Sequence, residues 1–128
     1  MTTAAAEARN REIVRQIYEA SFNGDRSAFP AAMHEDFEES IPPILPWGGV
    51  YRDRDAFERD MFPKLRAVVD FASFQLVSLS ADGDHVAALL TARSIAGEEI
   101  WVAEHWIMRD EKVWRMRVFY FDTIPLQS

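Results

Sequence analysis

From Phe71 to Thr123 the chain is a succession of apolar stretches of strand length, cut by turn residues at Asp82-Gly83-Asp84, Ala96-Gly97 and Asp110-Glu111. Stretches rich in Val, Phe, Trp, Ile and Thr with such short interruptions predict four hairpin-linked strands, over 71–80, 86–94, 99–109 and 113–123. Connections this tight join only antiparallel neighbours, so the second half of the chain is expected to be a meander. A meander with an apolar face needs a cover, and the first half of the chain supplies helices to provide it.

Between Ala4 and Phe22 the residues Ile13, Val14, Ile17, Tyr18 and Phe22 recur at helical spacing, with Arg9, Arg11, Glu12, Arg15, Gln16 and Glu19 on the opposite side. Asn23-Gly24-Asp25 ends this amphipathic helix, Gly24 being suited to a left-handed cap, and Asp25 is placed to cap a second short helix reaching about Met33 that Pro30 kinks or bounds. Asp36 to Ile41 fits a short strand. Pro42, Pro43, Pro46, Gly48 and Gly49 then impose a loop that carries Trp47, and Val50 to Arg52 returns as a brief strand. Asp53 or Asp55 caps a further helix with Phe57, Met61, Leu65, Val68 and Val69 along one side, bent or interrupted at Pro63. Helices first and strands afterwards make an α+β pattern, the helices lying on one face of a curved sheet.

The 128 residues, 48% of them hydrophobic, suit one domain spanning 1–128. Zero cysteines remove disulfides, thiolate metal sites and cysteine nucleophiles from consideration and fit a reducing, cytoplasmic setting. No apolar run approaches the ~20 residues needed to span a bilayer, and the first residues lack the basic-then-apolar order of a signal peptide. A net charge of −7 disfavours nucleic acid and anionic membrane surfaces as partners. The three histidines have no short ligand spacing, so no metal is expected, and Gly48-Gly49 is not followed by the Lys-Ser or Lys-Thr of a phosphate loop.

Alternation singles out several candidate residues. In an unbroken last strand, Asp122 shares a face with Trp114, Met116, Val118 and Tyr120. A carboxylate at the end of an apolar stripe either reaches water at the rim, capping the strand end or pairing with an arginine, or sits in a pocket with a raised pKa. A two-residue turn at Asp110-Glu111 pairs Arg109 with Lys112, which sets His105 opposite Met116 and on the face of Asp122. A three-residue turn turns Glu104 and Trp106 inward instead. Tyr18, on the buried side of the first helix, has a hydroxyl able to donate to a ligand oxygen or to serve as the polar tip of a core residue. Trp47 and Tyr51 are candidates for the mouth of a pocket, with Trp101, Trp106, Trp114, Met116 and Tyr120 for its walls or for core and dimer contacts. Arg93 interrupts the apolar strand 86–92, placed to bind a carboxylate, to pair with Asp122 or to reach solvent at the strand end.

Four stretches resemble the NTF2-like superfamily of cone-shaped α+β domains, and within it the SnoaL-like, polyketide cyclase-like group. They are Tyr18-Glu19-Ala20-Ser21-Phe22-Asn23-Gly24-Asp25, Pro46-Trp47-Gly48-Gly49-Val50-Tyr51-Arg52-Asp53-Arg54-Asp55-Ala56-Phe57, Glu104-His105-Trp106-Ile107-Met108-Arg109-Asp110 and Tyr120-Phe121-Asp122-Thr123. The resemblance spans nearly the whole chain. It implies an apolar pocket between the concave sheet face and the helices, a homodimer joined through the outer sheet face, and cofactor-free chemistry on a small apolar molecule. One fold hosts many functions, so activity has to be argued from the polar groups in the pocket.

Asp122 resembles the late aspartate that SnoaL-like cyclases use as a general acid/base, with His105 and Tyr18 as partners that polarise or reprotonate an oxygen. Relatives of the ketosteroid isomerase type carry a base just before a proline on the first strand, and Ile41-Pro42 has no carboxylate there. The Arg-x-Asp of the fold's epoxide hydrolases is likewise missing at Arg93-Ser94-Ile95. His34 and His85 fall in a loop and a turn, which speaks against the clustered histidines of scytalone dehydratase. The expected function is acid/base catalysis of cyclase, isomerase or dehydratase type on an apolar oxygenated metabolite. The alternatives are a non-catalytic module that binds a small hydrophobic ligand, and a structural dimerisation domain.

Overall fold

A computed structural model describes residues 3–127. Helix α1, Thr3–Phe22, is followed by the single turn and a half of α2, Ala28–Ala32. Strand β1, Met33–Ile41, leads through the proline-rich loop to the short β2, Gly49–Tyr51. The next helical stretch is broken: α3, Arg54–Ala56, runs into a π turn, Phe57–Met61, and then into α4, Phe62–Arg66. Asp53 starts it by accepting from the Ala56 N–H at 2.7 Å. Pro63, which has no N–H to give to the preceding turn and was expected to bend or interrupt the helix, is the second residue of α4, just after the π turn ends at Met61.

Strands β3 Val69–Asp82, β4 His85–Ser94, β5 Glu99–Arg109 and β6 Lys112–Tyr120 form the expected meander. The sheet has six strands in the order β2-β1-β6-β5-β4-β3. It is curved and unclosed, and antiparallel except where β1 lies parallel to β6. The chain from β1 to its parallel partner runs through β2, the helical stretch and the whole β3–β5 meander, and the pairing sets β1 beside the last strand, a neighbour that hairpin logic alone does not supply. Register shifts in β3 at Asp70/Gln75 and at Leu76/Ser78 mark bulges of the kind that bend a strand around a core.

Helix α1 packs on β3 and β4. Its buried Val14, Ile17 and Tyr18 share one core with the inward residues Val86, Ala88, Leu90 and Ala92 of β4 and Val102 and Trp106 of β5. Burial alternates strictly along β4, with Val86, Ala88, Leu90, Ala92 and Ser94 inward and the residues between them half-buried or exposed, as expected of a strand with one covered face. Trp47 is almost wholly buried, although a proline- and glycine-rich loop carries it. Gly48 makes that seat possible: a Cβ there would lie 2.1 Å from the Pro42 carbonyl oxygen and 2.8 Å from Pro43 Cα. Among the described residues no helix is long and apolar enough to cross a membrane.

Candidate functional site

Between the concave sheet face and the helices lies a cavity of about 240 Å³. Ile17, Phe29, Phe57, Met61, Leu90 and Val118 supply much of its apolar wall. Its charged lining consists of four residues, the carboxylates Glu39 and Glu104 on the strands and the guanidiniums of Arg26 and Arg66 outside the sheet.

Strand register brings the two carboxylates to the cavity. On β1, Phe37, Glu39 and Ile41 are buried while Asp36 and Glu38 are turned outward or half-buried, so Glu39 occupies an inward position in an apolar row. Glu39 is paired with Met116 of β6, and Met116 with Trp106 of β5, which places the three side by side across the sheet. Glu104 lies two residues before Trp106 on the same face, beside Val118.

Tyr18 reaches down from α1 to join this group. Its hydroxyl donates to Glu104 Oε1 at 2.6 Å and accepts from the Trp106 indole N–H at 2.8 Å. The rings of Tyr18 and Trp106 meet edge to face with centroids 5.4 Å apart. Glu39 has no such support. Its Oε1 is buried without a hydrogen-bond partner among the described residues, although the residue as a whole is only 3% exposed.

Burial therefore controls the ionisation of both acids. It pushes Glu39 up to about 8, with the neighbouring Glu104 charge adding to the effect. Burial also raises Glu104, to about 7, and the Tyr18 hydrogen bond partly offsets it. Glu104 retains some accessible surface, and because it lines the cavity that surface belongs to the interior. The Tyr18 hydroxyl is held well above the usual phenol range by burial and then by the Glu104 charge, so it stays a proton donor at neutral pH. Burial and Glu104 raise Tyr120 in the same way.

The two-residue turn at Asp110-Glu111 forms, with both residues at positive φ, 54° and 59°, and Arg109 paired with Lys112. The orientation inferred from it for His105 does not follow, because the register slips between Ile107 and Met108. Met108 pairs with Val113, Ile107 pairs with Arg115, and Trp114 is the extra residue of a bulge. Beyond the bulge every partner moves by one, so Trp106 rather than His105 opposes Met116. Trp114 lies in an outer cleft, its ring 3.6 Å from the Arg109 guanidinium and 4.0 Å from that of Arg115.

His105 accordingly points to the outer face. There its Nε2 is 2.7 Å from His85 Nδ1, with the two rings stacked. Burial, then His85 and Arg117, lower its pKa. The expectation that Asp122 and His105 share one cavity is thus corrected at both residues. The strand ends at Tyr120, and Asp122 is exposed just beyond it, accepting from the Ile124 N–H at 3.0 Å in the manner of a strand-end cap.

Of the other candidates, Tyr18, Trp47, Trp106, Met116 and Tyr120 line the cavity. Tyr51 stands behind it, donating to the Trp47 carbonyl at 2.8 Å. Arg93 is exposed and donates to the Gly97 carbonyl at 3.2 Å, away from Asp122 and from the cavity. Trp101 is on the outer face, 38% exposed, with its N–H on Glu99. Glu39, Arg26 and Arg66 line the cavity without having been candidates in the sequence, and only Glu39 had a local signal. The alternation Phe37-x-Glu39-x-Ile41 carries that signal, two residues before Ile41-Pro42, where ketosteroid isomerase-type relatives carry their base. Among the described residues no three His, Asp or Glu side chains are grouped to hold a metal ion.

The sequence model of the family described as SnoaL-like domain matches residues 14–116. No curated protein sequence matches the chain. Among solved structures, an NTF2-like protein from Burkholderia thailandensis E264 is 27% identical with a TM-score of 0.78, the match covering 97% of this chain and 94% of that one. An NTF2-like protein of unknown function from Burkholderia pseudomallei K96243 has the same TM-score, 0.78, at 19% identity, covering 94% and 98%. TerC, co-crystallised with polyporic acid, is 22% identical with a TM-score of 0.74, covering 91% of this chain and 93% of its own.

Proposed function

The chain belongs to the SnoaL-like domain family, and from that premise we propose that it is a small-molecule enzyme performing cofactor-free acid/base chemistry on an apolar, oxygenated ligand. The observation that carries this reading is the pair of cavity-lining carboxylates, Glu39 and Glu104, raised to about 8 and about 7. Two acids whose surroundings hold them near neutrality, in a cavity otherwise aromatic and aliphatic, are the equipment for moving protons at physiological pH.

Glu104 is the proposed base and Glu39 the proposed acid. As a carboxylate, Glu104 takes a proton from a carbon next to a ligand carbonyl. The C–H electron pair moves into the new C–C double bond, and the carbonyl pair moves to oxygen. Glu39, still protonated, donates a hydrogen bond or its proton to that oxygen. Return of the proton from Glu104 to a second carbon gives isomerisation, and delivery to a departing hydroxyl gives dehydration. Tyr18 holds Glu104 in place by its 2.6 Å hydrogen bond. In this scheme the base role passes from Asp122 to Glu104.

The test is solvent exchange into 2-tetralone, a small aromatic ketone with acidic carbon-bound protons. The protein in deuterium oxide is expected to speed loss of the proton signal, and Glu104→Gln to cut that rate by at least about 100-fold, the usual scale of a general base. Equal rates for the two proteins would remove the acid/base reading. Binding without exchange would favour the second reading, a ligand-binding module, for which the partnerless Glu39 Oε1 is the supporting observation. TerC, which shares the fold, was co-crystallised with polyporic acid. The outer sheet face, where Trp101 and Phe119 are 38% and 50% exposed, is proposed as the contact with a second copy of the chain. Sedimentation as a monomer at low micromolar concentration would count against that contact.

A further inference from the structure

The cavity is electrically polarised. Its acids, Glu39 and Glu104, stand on the sheet, whereas Arg26 and Arg66 line its exposed side, from the α1–α2 connection and the last residue of α4. Both guanidiniums lie over aromatic rings that line the same cavity. Arg26 is 4.4 Å from the Phe62 centroid, and Arg66 is 5.9 Å from Phe62 and 5.8 Å from Phe71. Phe62 and Phe71 are themselves stacked at 4.8 Å, so they form an apolar strip edged by positive charge.

The two arginines differ in one respect. Arg26 pairs with Glu58 at 2.8 Å, and its charge is already met. Among the described residues no carboxylate pairs with Arg66. A guanidinium within cation–π range of two rings, with its donors uncommitted, is suited to a planar anion such as a carboxylate.

We infer that the cavity takes an anionic amphiphile, an apolar body bearing a carboxylate that docks on Arg66 at the mouth while its neutral end enters toward Glu39 and Glu104. The inference rests on the ligand cavity proposed above and adds the charge and the direction of the ligand. The apolar inner walls cannot solvate an anion, Glu104 adds repulsion when it is ionised, and Arg66 attracts the anion at the rim, so the two ends of the site specify a single orientation. Arg66 is in this sense a specificity-determining residue.

The probes are 2-naphthoate and 2-naphthamide, which share a body and differ in the charge of one planar group. Their dissociation constants can be measured by quenching of tryptophan emission, since Trp47 and Trp106 line the cavity. At low ionic strength the naphthoate is expected to bind about fivefold more tightly than the amide, the upper range for an exposed ion pair. The preference should shrink as salt is added and vanish in Arg66→Gln, in which naphthoate and amide bind equally. Equal affinities in the wild type, a preference that survives Arg66→Gln, or no binding of the naphthoate would each overturn the inference. The readout is a charge preference in binding, which stands even if 2-tetralone shows no exchange, so this inference and the proposed chemistry fail separately.

Discussion

Glu39→Gln should make the fold markedly less sensitive to alkaline pH. In the native state the carboxyl of Glu39 holds its proton to about pH 8, whereas an ordinary one releases it at 4.5. Between these values the folded protein binds a proton that the unfolded chain has lost, so stability falls as pH rises, by about 1.36 kcal/mol per pH unit for this group. The contribution is intact below about 4.5 and is fully lost once pH has passed about 8. Taken over that interval, the cost approaches about 5 kcal/mol, a large share of the 5–15 kcal/mol that typically separates folded from unfolded domains. Glu104, raised to about 7, adds a slope of the same sign over a shorter range. Glutamine keeps the shape of the side chain and removes its proton from the balance. Urea denaturation followed by tryptophan fluorescence at about pH 5, 7 and 9 is the assay. Wild type and variant should agree to within about 1 kcal/mol at the acid end, as expected when one uncharged side chain replaces another of the same size. They should diverge steadily toward the alkaline end, with the variant the more stable. Parallel stability curves across the range would refute the claim that Glu39 is a buried acid held protonated by its surroundings.

Tyr18→Phe removes the donor to Glu104 and leaves the Trp106 N–H without its acceptor. It is expected to cost about 1–3 kcal/mol in thermal or urea unfolding and to move the alkaline-rising limb of any exchange rate to higher pH, since the Tyr18 hydrogen bond holds Glu104 down; an unmoved limb would remove Glu104 as the titrating base. Gly48→Ala places a methyl group 2.1 Å from the Pro42 carbonyl oxygen, so the loop must shift and Trp47 must leave its seat. A loss of about 1–3 kcal/mol is expected, together with a red shift of tryptophan emission, and unchanged emission would mean that the loop does not depend on this glycine. Asp122→Asn is expected to leave 2-tetralone exchange at the wild-type rate, since the side chain is exposed and caps Ile124; a loss of more than about tenfold would return the base role to it.

The helical spacing of α1, the turn residues and the β-rich second half made the α+β architecture legible, because burial of one face imposes a period that any reader of the chain can follow. Alternation reads a face correctly only while the strand is unbroken. Trp114 fits the stripe of Met116, Val118 and Tyr120 in the sequence, yet it is the residue expelled at the bulge, and its place outside is taken between Arg109 and Arg115. No local pattern marks that residue. Its expulsion follows from how β5 and β6 must twist and from what their neighbours can accept.

Tyr18 and Tyr120 were readable as inward residues from their own elements alone, whereas the face of Trp106 depended on the register set by the bulge at Trp114. Glu39 was readable in principle from Phe37 and Ile41 on either side of it. That Glu39 stands across from Met116 and Trp106 is a different kind of fact, since it requires β1 to lie parallel to β6, more than 70 residues away along the chain. Sequence by itself determined which segments are helix and strand and how much apolar surface they must hide, since both depend on short-range spacing. Tertiary structure alone decided which carboxylates are starved of water and which histidine faces solvent, because desolvation and register belong to the assembled sheet and to no segment of it.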